Sequence, residues 1–258
     1  MAEFATASIL YGQQPLDVAC REIASVGVRH LDLWHVTNWC EHLRDGPDAV
    51  TRLLERYKLR LLALSAYGAP PEALTQHLET LQRLGGTVLV TMSARPDVSV
   101  ADYAEQIRPL VATATALGVS LAIENHADRC IDSIASMVEL TERLPEAGLS
   151  IALAPIHLYN RDERTEDAIR ALPGRVGLFY LWDWGAKGLG DWKNPAEQFV
   201  GTGRIDFHPV LRALRETGYT RPLNIFAHGP EHWPTPQTTD HLQRALARAR
   251  RLAAEAPA

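Results

Sequence analysis

Three polar residues, Glu124, Asn125 and His126, follow an apolar alternation and are the residues best suited to chemistry. The preceding Leu121 and Ile123 alternate with Ala122 and Glu124, a pattern that predicts a short buried strand. A carboxylate at the end of such a strand is costly unless it is paired, coordinated or functional. Poorly solvated surroundings would raise the carboxylate pKa, which suits a general base. The alternative is a structural carboxylate bonded to an Arg or to backbone amides.

The elements that must position these residues alternate regularly along the chain. Short apolar runs, each followed by a helical segment, recur eight times without a composition break or a Gly/Ser linker. Such alternation predicts a parallel sheet covered by helices. Eight units in about 250 residues predict one (β/α)8 barrel domain over residues 1–258. The alternative, a doubly wound sheet, needs a phosphate-binding glycine-rich turn after the first strand, and Tyr11-Gly12-Gln13-Gln14 is not one.

The predicted boundaries come from glycine, proline and capping residues between the periodic segments. The predicted strands cover residues 7–11, 29–34, 59–65, 87–92, 119–125, 149–154, 176–183 and 222–227. The predicted helices cover residues 15–23, 48–57, 71–84, 100–117, 133–144, 166–172, 206–216 and 238–254.

Tryptophan and histidine concentrate where such a barrel carries its chemistry, at the carboxyl ends of the strands and in the loops that follow. All six tryptophans lie there, namely Trp34, Trp39, Trp182, Trp184, Trp192 and Trp233. Six of the ten histidines lie there as well, namely His35, His42, His126, His157, His228 and His232. The clustering predicts a pocket with aromatic walls. A lid that packs only on itself is the alternative.

Side-chain alternation indicates which residues face the barrel axis. The inward set at the top of the barrel is predicted to be Glu124, His126, His157, Tyr180, Trp182, Phe226 and His228. Asp183 has the outward parity, which favours a loop cap or an ion pair over a role in the site. Cys130 follows the fifth strand, but a nucleophile needs an activating base beside it, so that role is not predicted.

Composition excludes several classes of protein. The chain has 258 residues, 46% hydrophobic and 22% charged, as expected of a globular protein with one large core. A net charge of −5 and a pI near 6.1 argue against a nucleic-acid partner. No apolar run is long enough for a membrane span, and three cysteines without metal spacing favour a cytoplasmic setting. The oligomeric state is left open, with a homo-oligomer as one option.

The order and spacing of several segments resemble one known family. These segments are residues 27–34, 117–126, 201–207 and 218–220, together with His157. Over nearly its whole length the chain resembles the xylose-isomerase-like TIM-barrel superfamily, which includes sugar epimerases and isomerases and endonuclease-IV-type barrels. The resemblance implies a (β/α)8 fold and an active site at the carboxyl ends of the strands.

The resemblance also implies a divalent metal, held by Glu, Asp, His and Glu at the ends of strands five to eight. This sequence keeps only Glu124; the other three positions hold Ala154, Tyr180 and Phe226. One carboxylate cannot hold a hard cation that wants several oxygen ligands, so no cofactor is expected. The alternative is a displaced Zn²⁺ or Mn²⁺ site on Glu124, His126, His157 and His228.

These observations predict an isomerase, epimerase or lyase that moves a proton beside a carbonyl without a metal. The substrate would be a small sugar-like or cyclic metabolite, including a secondary metabolite. Glu124 would be the base, while His157 with His126 or His228 would return the proton or hold the enolate oxygen. The predicted substrate-binding residues are Trp34, Tyr180, Trp182, Trp184, Phe226 and Trp233. The alternative is a catalytically silent barrel that binds a ligand or stabilises a partner.

Overall fold

Eight parallel strands close into a barrel in the computed structural model, which describes residues 2–185 and 194–255. The sheet forms a closed barrel, because the first strand pairs in parallel with both the second strand and the last strand. This confirms the predicted (β/α)8 architecture. The barrel strands are β1 (Phe4–Ala7), β2 (His30–Val36), β3 (Arg60–Ser65), β4 (Val88–Met92), β5 (Ser120–Glu124), β6 (Leu149–Leu153), β7 (Val176–Leu181) and β8 (Leu223–Ile225).

Helices surround the barrel in the described residues. They are α1 (Leu16–Ser25), α2 (Pro47–Tyr57), α3 (Pro71–Arg83), α4 (Val100–Leu117), α5 (Ile134–Arg143), α6 (Pro155–Asn160), α7 (Thr165–Ala171), α8 (Phe207–Glu216) and α9 (Thr235–Glu255). Ser133 and Asp206 cap α5 and α8 as predicted, because their side-chain oxygens accept backbone N–H groups that the first helical turn leaves free. No helix in the described ranges is long and apolar enough to cross a membrane.

The first predicted strand is wrong in its boundaries. Residues 4–7 form β1, whereas Ser8–Tyr11 form a buried 3-10 turn. Apolar composition alone cannot distinguish a short buried strand from a buried turn of helix. The prediction also lacks α6, which starts directly after β6 at Pro155, and a short antiparallel pair between Val36 and Cys40 in the β2 loop.

Two apolar clusters divide the core. The outer cluster lies between the strands and the helices, and it includes Leu121, Ile123 and Leu181. The inner cluster fills the barrel with small side chains such as Ala122 and, toward the carboxyl ends, with bulky rings. The rings of the inner cluster are Trp34, Tyr180, Trp182, Trp184 and Phe226. The predicted inward parity of β5, β7 and β8 therefore agrees with the structure.

Candidate active site

A cavity of about 430 Å³ opens at the carboxyl ends of the strands. Its size suits a small metabolite, and its position is where TIM barrels carry their chemistry. None of the described residues that line it is a Lys or an Arg, whereas two of them are glutamates. The lining consists of Trp34, Trp39, Tyr67, Met92, Glu124, His126, His228, Gly229, Glu231 and His232.

Glu124 ends β5, and its carboxylate reaches this cavity although the residue is only 4% exposed. The Tyr67 hydroxyl donates a short hydrogen bond to Oε2. Nε2 of His157 lies 3.6 Å from Oε1. Burial raises the pKa of Glu124, while His126 and the Tyr67 hydrogen bond oppose that rise. A partly desolvated carboxylate that is held at one oxygen has the features of a general base.

Burial lowers the pKa values of the imidazoles around Glu124, which favours their neutral form. The rings of His126 and His157 lie 4.2 Å apart between centroids. Burial lowers the pKa of His126 and lowers the pKa of His157 to about 3. Burial likewise lowers the pKa of His228 to about 3. At neutral pH these rings therefore act through one N–H and one lone pair each.

Stacked and edge-on rings form the wall and the floor of the cavity. Trp34 lies against Tyr67, with 4.8 Å between the ring centroids, and meets Trp39 edge-on at 5.8 Å. Trp39 stacks on His228 at 5.1 Å, and at 37% exposure it forms the solvent side of the wall. These geometries are close to the offset and edge-to-face arrangements that aromatic rings prefer, so the rings stabilise one another in the wall.

The structure separates the predicted site residues into three groups. Trp34, Glu124, His126 and His228 line the cavity. A second group lies buried directly behind or beneath it, in contact with lining residues or with each other, and consists of His157, Tyr180, Trp182 and Phe226. The third group lies away from the cavity and consists of Trp184 and Trp233.

The positions of this third group have local causes. Trp233 packs on His241 of α9, with 4.7 Å between the ring centroids, and on Phe199, so its ring covers a helix and not the cavity. Trp184 is fully buried in the inner cluster, beside the loop that follows Asp183. Trp192, which was predicted to belong to the same aromatic cluster, lies outside the described residues.

Sequence reasoning missed Tyr67, the residue that contacts the candidate base most closely. Tyr67 lies two residues after Ser65, which ends β3, so both side chains share the inward parity. Extending the alternation past the end of the predicted strand would have found it. Met92, at the end of β4, and Glu231, in a short 3-10 turn after β8, also line the cavity without having been predicted.

Asp183 holds the loop after β7, as its outward parity suggested. Its two carboxylate oxygens accept four backbone N–H groups, from Trp184, Gly201, Gly203 and Ile205, over 2.8 to 3.0 Å. A Cβ at position 203 would lie 2.3 Å from Oδ1 of Asp183. Gly203 is therefore explained by close approach to a carboxylate and Gly201 by its φ of +76°, so a nucleotide is not needed to account for the Gly-x-Gly segment.

The divalent metal of the family does not fit at its usual position in this chain. Ala154 offers a methyl group, Phe226 offers a phenyl ring, and the Tyr180 hydroxyl bonds that of Tyr67 over 3.0 Å. Within the described residues, the group of three potential ligands is Glu124, His126 and His157, whose donor atoms lie within 4.8 Å of one another. These three residues also belong to the displaced metal site considered above. Metal analysis of the purified protein distinguishes a displaced metal site from a site without metal.

The fold is that of a TIM barrel, and comparison with models of known protein families establishes the family. The chain belongs to the xylose isomerase-like TIM barrel family, whose model matches residues 20–254. A comparison with curated protein sequences finds no match.

Solved structures share the whole barrel with this chain. The IolI protein, solved with a bound zinc atom, superposes with a TM-score of 0.80 at 14% identity, and 99% of each chain is covered. An L-ribulose 3-epimerase superposes with a TM-score of 0.79 at 17% identity, covering 99% of this chain and 96% of the epimerase. The probable 3-DHS dehydratase AsbF of Bacillus anthracis gives 0.73 at 14% identity, covering 95% and 98%. At these identities the likeness establishes the fold alone.

Proposed function

We propose that the protein is an isomerase, epimerase or lyase that moves a proton beside a carbonyl of a small sugar-like or cyclic metabolite. It does so without the divalent metal of its family. The observation that carries the proposal is Glu124, a buried carboxylate held by Tyr67 at the floor of an aromatic-walled cavity. The similar structures of an epimerase and a dehydratase support this reaction class, because epimerisation and dehydration beside a carbonyl both begin with removal of a proton from carbon.

Glu124 is the base in this proposal. The bond from a substrate carbon to hydrogen breaks, the proton goes to the carboxylate, and the electron pair moves toward the carbonyl oxygen as an enolate. The Tyr67 hydrogen bond fixes one oxygen of the Glu124 carboxylate. Because this bond sets the orientation of the carboxylate, the other oxygen is held in place to accept the substrate proton. Burial raises the pKa of Glu124, which brings its proton affinity closer to that of the substrate carbon.

In this proposal, neutral imidazoles form hydrogen bonds with the oxygen atoms of the substrate. His228 lines the cavity and in its neutral form offers one N–H for the developing enolate oxygen. Nδ1 of His126 lies 2.5 Å from the carbonyl oxygen of Ala127, which assigns the proton to Nδ1. Nε2 of His126 is then a lone pair that accepts from a substrate hydroxyl. His157, which is fully buried, orients Glu124 and does not contact substrate in this proposal.

The lining also narrows the substrate class. Phosphate recognition relies on Arg, Lys or helix N-termini, and none of the described lining residues is Arg or Lys. Trp34 and Trp39 present ring faces and edges, which pack well against the apolar face of a sugar or of an unsaturated ring. Unphosphorylated ketoses and cyclic hydroxyketones are therefore the compounds to test first.

The test is hydrogen exchange in D₂O. Purified protein is incubated with ketopentoses, ketohexoses and cyclic hydroxyketones, and deuterium entering the carbon beside the carbonyl is followed by NMR. The wild-type protein should exchange at least one compound, and Glu124→Gln should lose about 10²-fold or more of that rate. Glu166→Gln is the matched control, because Glu166 is a buried carboxylate that pairs with Arg164 away from the cavity. Equal rates for wild type and Glu124→Gln would refute the assignment of the base.

The second candidate, a catalytically silent barrel, is favoured by the replacement of three metal ligands with Ala154, Tyr180 and Phe226. It predicts that a compound binds in the cavity without exchange. Calorimetry with the same panel separates the two functions: binding with no exchange in any bound compound favours the silent barrel. Binding accompanied by exchange that depends on Glu124 favours the enzyme.

A further inference from the structure

Glu231 is a second buried carboxylate at the active-site cavity, and the proposed reaction does not use it. The residue lies in a short 3-10 turn, Pro230–His232, in the loop after β8, and it lines the cavity although it is only 5% exposed. Its Oε2 accepts the backbone N–H of Gly229 over 2.6 Å. This bond gives one oxygen of Glu231 a structural role in the turn.

The other oxygen of Glu231 has little to balance its charge. In the described part of the chain, the basic group that pairs with Oε1 is Nε2 of His232 at 3.8 Å, which is beyond hydrogen-bonding distance. The side chain of that histidine is 68% exposed, so water weakens the pair. The turn therefore accounts for Oε2 of Glu231 and leaves Oε1 available to a ligand in the cavity.

The charge of a ligand decides what its entry into the cavity costs. Water reaches the carboxylates of Glu231 and Glu124 through the open mouth, and a bound metabolite displaces that water. A neutral ligand would leave both carboxylates without water and without a Lys or Arg among the described lining residues, which is unfavourable. A ligand with a protonated amine replaces the lost water with a charge-assisted hydrogen bond.

The aromatic wall suits the same kind of ligand. Trp39 stacks on His228, and His228 precedes Glu231 by only three residues, so the indole ring and the carboxylate lie on the same side of the cavity. Tryptophan faces attract ammonium groups and also pack against ring carbon atoms. Glu231 and the wall formed by Trp34 and Trp39 therefore fit one ligand, with a cationic group and an apolar ring face.

We propose that the cavity selects a small sugar-like or cyclic metabolite that carries a protonated amine, and that Glu231 binds the ammonium group. Oε1 of Glu231 accepts a hydrogen bond from the ammonium, while Oε2 stays bonded to Gly229. That this compound is the substrate rests on the proposed function, which it narrows to aminoketoses and cyclic aminoketones. The preference of the cavity for a cation does not depend on any reaction.

Calorimetry with a matched pair of probes tests this preference without a reaction. Cyclohexylamine, which is protonated at pH 7, and cyclohexanol share one ring and differ only in the group that would meet Glu231. We expect the wild-type protein to bind cyclohexylamine at least about tenfold more tightly, the equivalent of one hydrogen bond to a charged group. Equal affinities, or tighter binding of cyclohexanol, would overturn the proposal.

Glu231→Gln keeps an oxygen atom that accepts the Gly229 N–H and removes the negative charge. In this variant the two probes should bind within about threefold of each other, because the ammonium no longer meets a carboxylate. Glu166→Gln is the matched control: it also removes one negative charge from a buried position, which pairs with Arg164 away from the cavity, and it should keep the full preference. A full preference in Glu231→Gln would show that another group binds the cation and would overturn the proposal.

Trp39→Leu locates the probes and keeps the test usable if Glu231→Gln does not fold. Trp39 lies on the solvent side of the wall, so its replacement leaves the core intact. Both probes should bind at least about threefold more weakly, because each ring loses the same packing surface. Unchanged binding of both would place them outside the cavity and contradict the proposal. Absence of hydrogen exchange with every compound, aminoketones included, would refute the proposed function and leave a measured preference for the cation intact.

Discussion

The carboxylate of Asp183 gives a prediction about stability that follows from four distances. Oδ1 accepts from the backbone N–H groups of Trp184 and Ile205, and Oδ2 accepts from those of Gly201 and Gly203. In Asp183→Asn one oxygen becomes an NH₂ group, so two acceptor positions are lost. Two N–H groups then face a donor instead of an acceptor.

The expected cost is the loss of two hydrogen bonds to a charged group, about 1.5 kcal/mol each and about 3 kcal/mol in total. For a chain of this size each kcal/mol shifts Tm by about 2 to 4 °C, so Tm should fall by about 6 to 12 °C. Denaturant unfolding and thermal melts measure the change. Asp97→Asn is the control, because Asp97 is an exposed carboxylate that pairs with Arg95 at the surface; that variant should stay within about 0.5 kcal/mol of the wild type. A cost below 1 kcal/mol for Asp183→Asn would refute the idea that this carboxylate holds the loop.

Four further predictions concern the site. Elemental analysis of chelator-free protein should find no stoichiometric divalent metal; about one Zn or Mn per chain that is lost in Glu124→Gln would instead establish the displaced site. Trp182→Ala should cost about 3 to 5 kcal/mol of unfolding free energy, because the ring is buried beneath the cavity, and a variant of wild-type stability would contradict that packing. Tyr67→Phe should slow hydrogen exchange about tenfold, the equivalent of one hydrogen bond to a charged group, and an unchanged rate would exclude a role for that hydroxyl. The free energy of unfolding should decrease as the pH rises from about 4 to about 6, because folded Asp32 has its pKa raised from 3.8 to about 6 and so keeps a proton that the unfolded chain releases; the wild type minus Asp32→Asn difference isolates this slope, and its absence or reversal would contradict it.

The inward faces of β5, β7 and β8 were predictable because side chains alternate strictly along a strand and one face must be apolar. That rule is enough to place Glu124 and Tyr180 inside the barrel from the sequence alone. It cannot tell which inward residue reaches the cavity and which lies beneath it, since depth depends on how far each strand extends. His157 illustrates the limit: α6 begins at Pro155 directly after β6 and turns the ring into the core.

Loops were less predictable than strands for a related physical reason. Trp233 and Trp39 both follow strand ends, yet one ring packs on α9 and the other forms the cavity wall. A position after a strand determines only at which end of the barrel a residue lies. The direction of its side chain depends on contacts with segments that are distant in sequence.

The three replaced metal positions make chemical sense together. A metal stabilises an enolate by positive charge, and a site without that charge must instead limit the water that competes for hydrogen bonds. Tyr180 and Phe226, which stand at two positions where the family carries metal ligands, lie 5.0 Å apart between ring centroids and are both buried. Tyr180 also hydrogen-bonds the hydroxyl of Tyr67, which donates to Glu124. In the proposed metal-independent reaction, Tyr180 and Phe226 therefore supply part of the apolar surroundings of Glu124, and Tyr180 supports its hydroxyl donor.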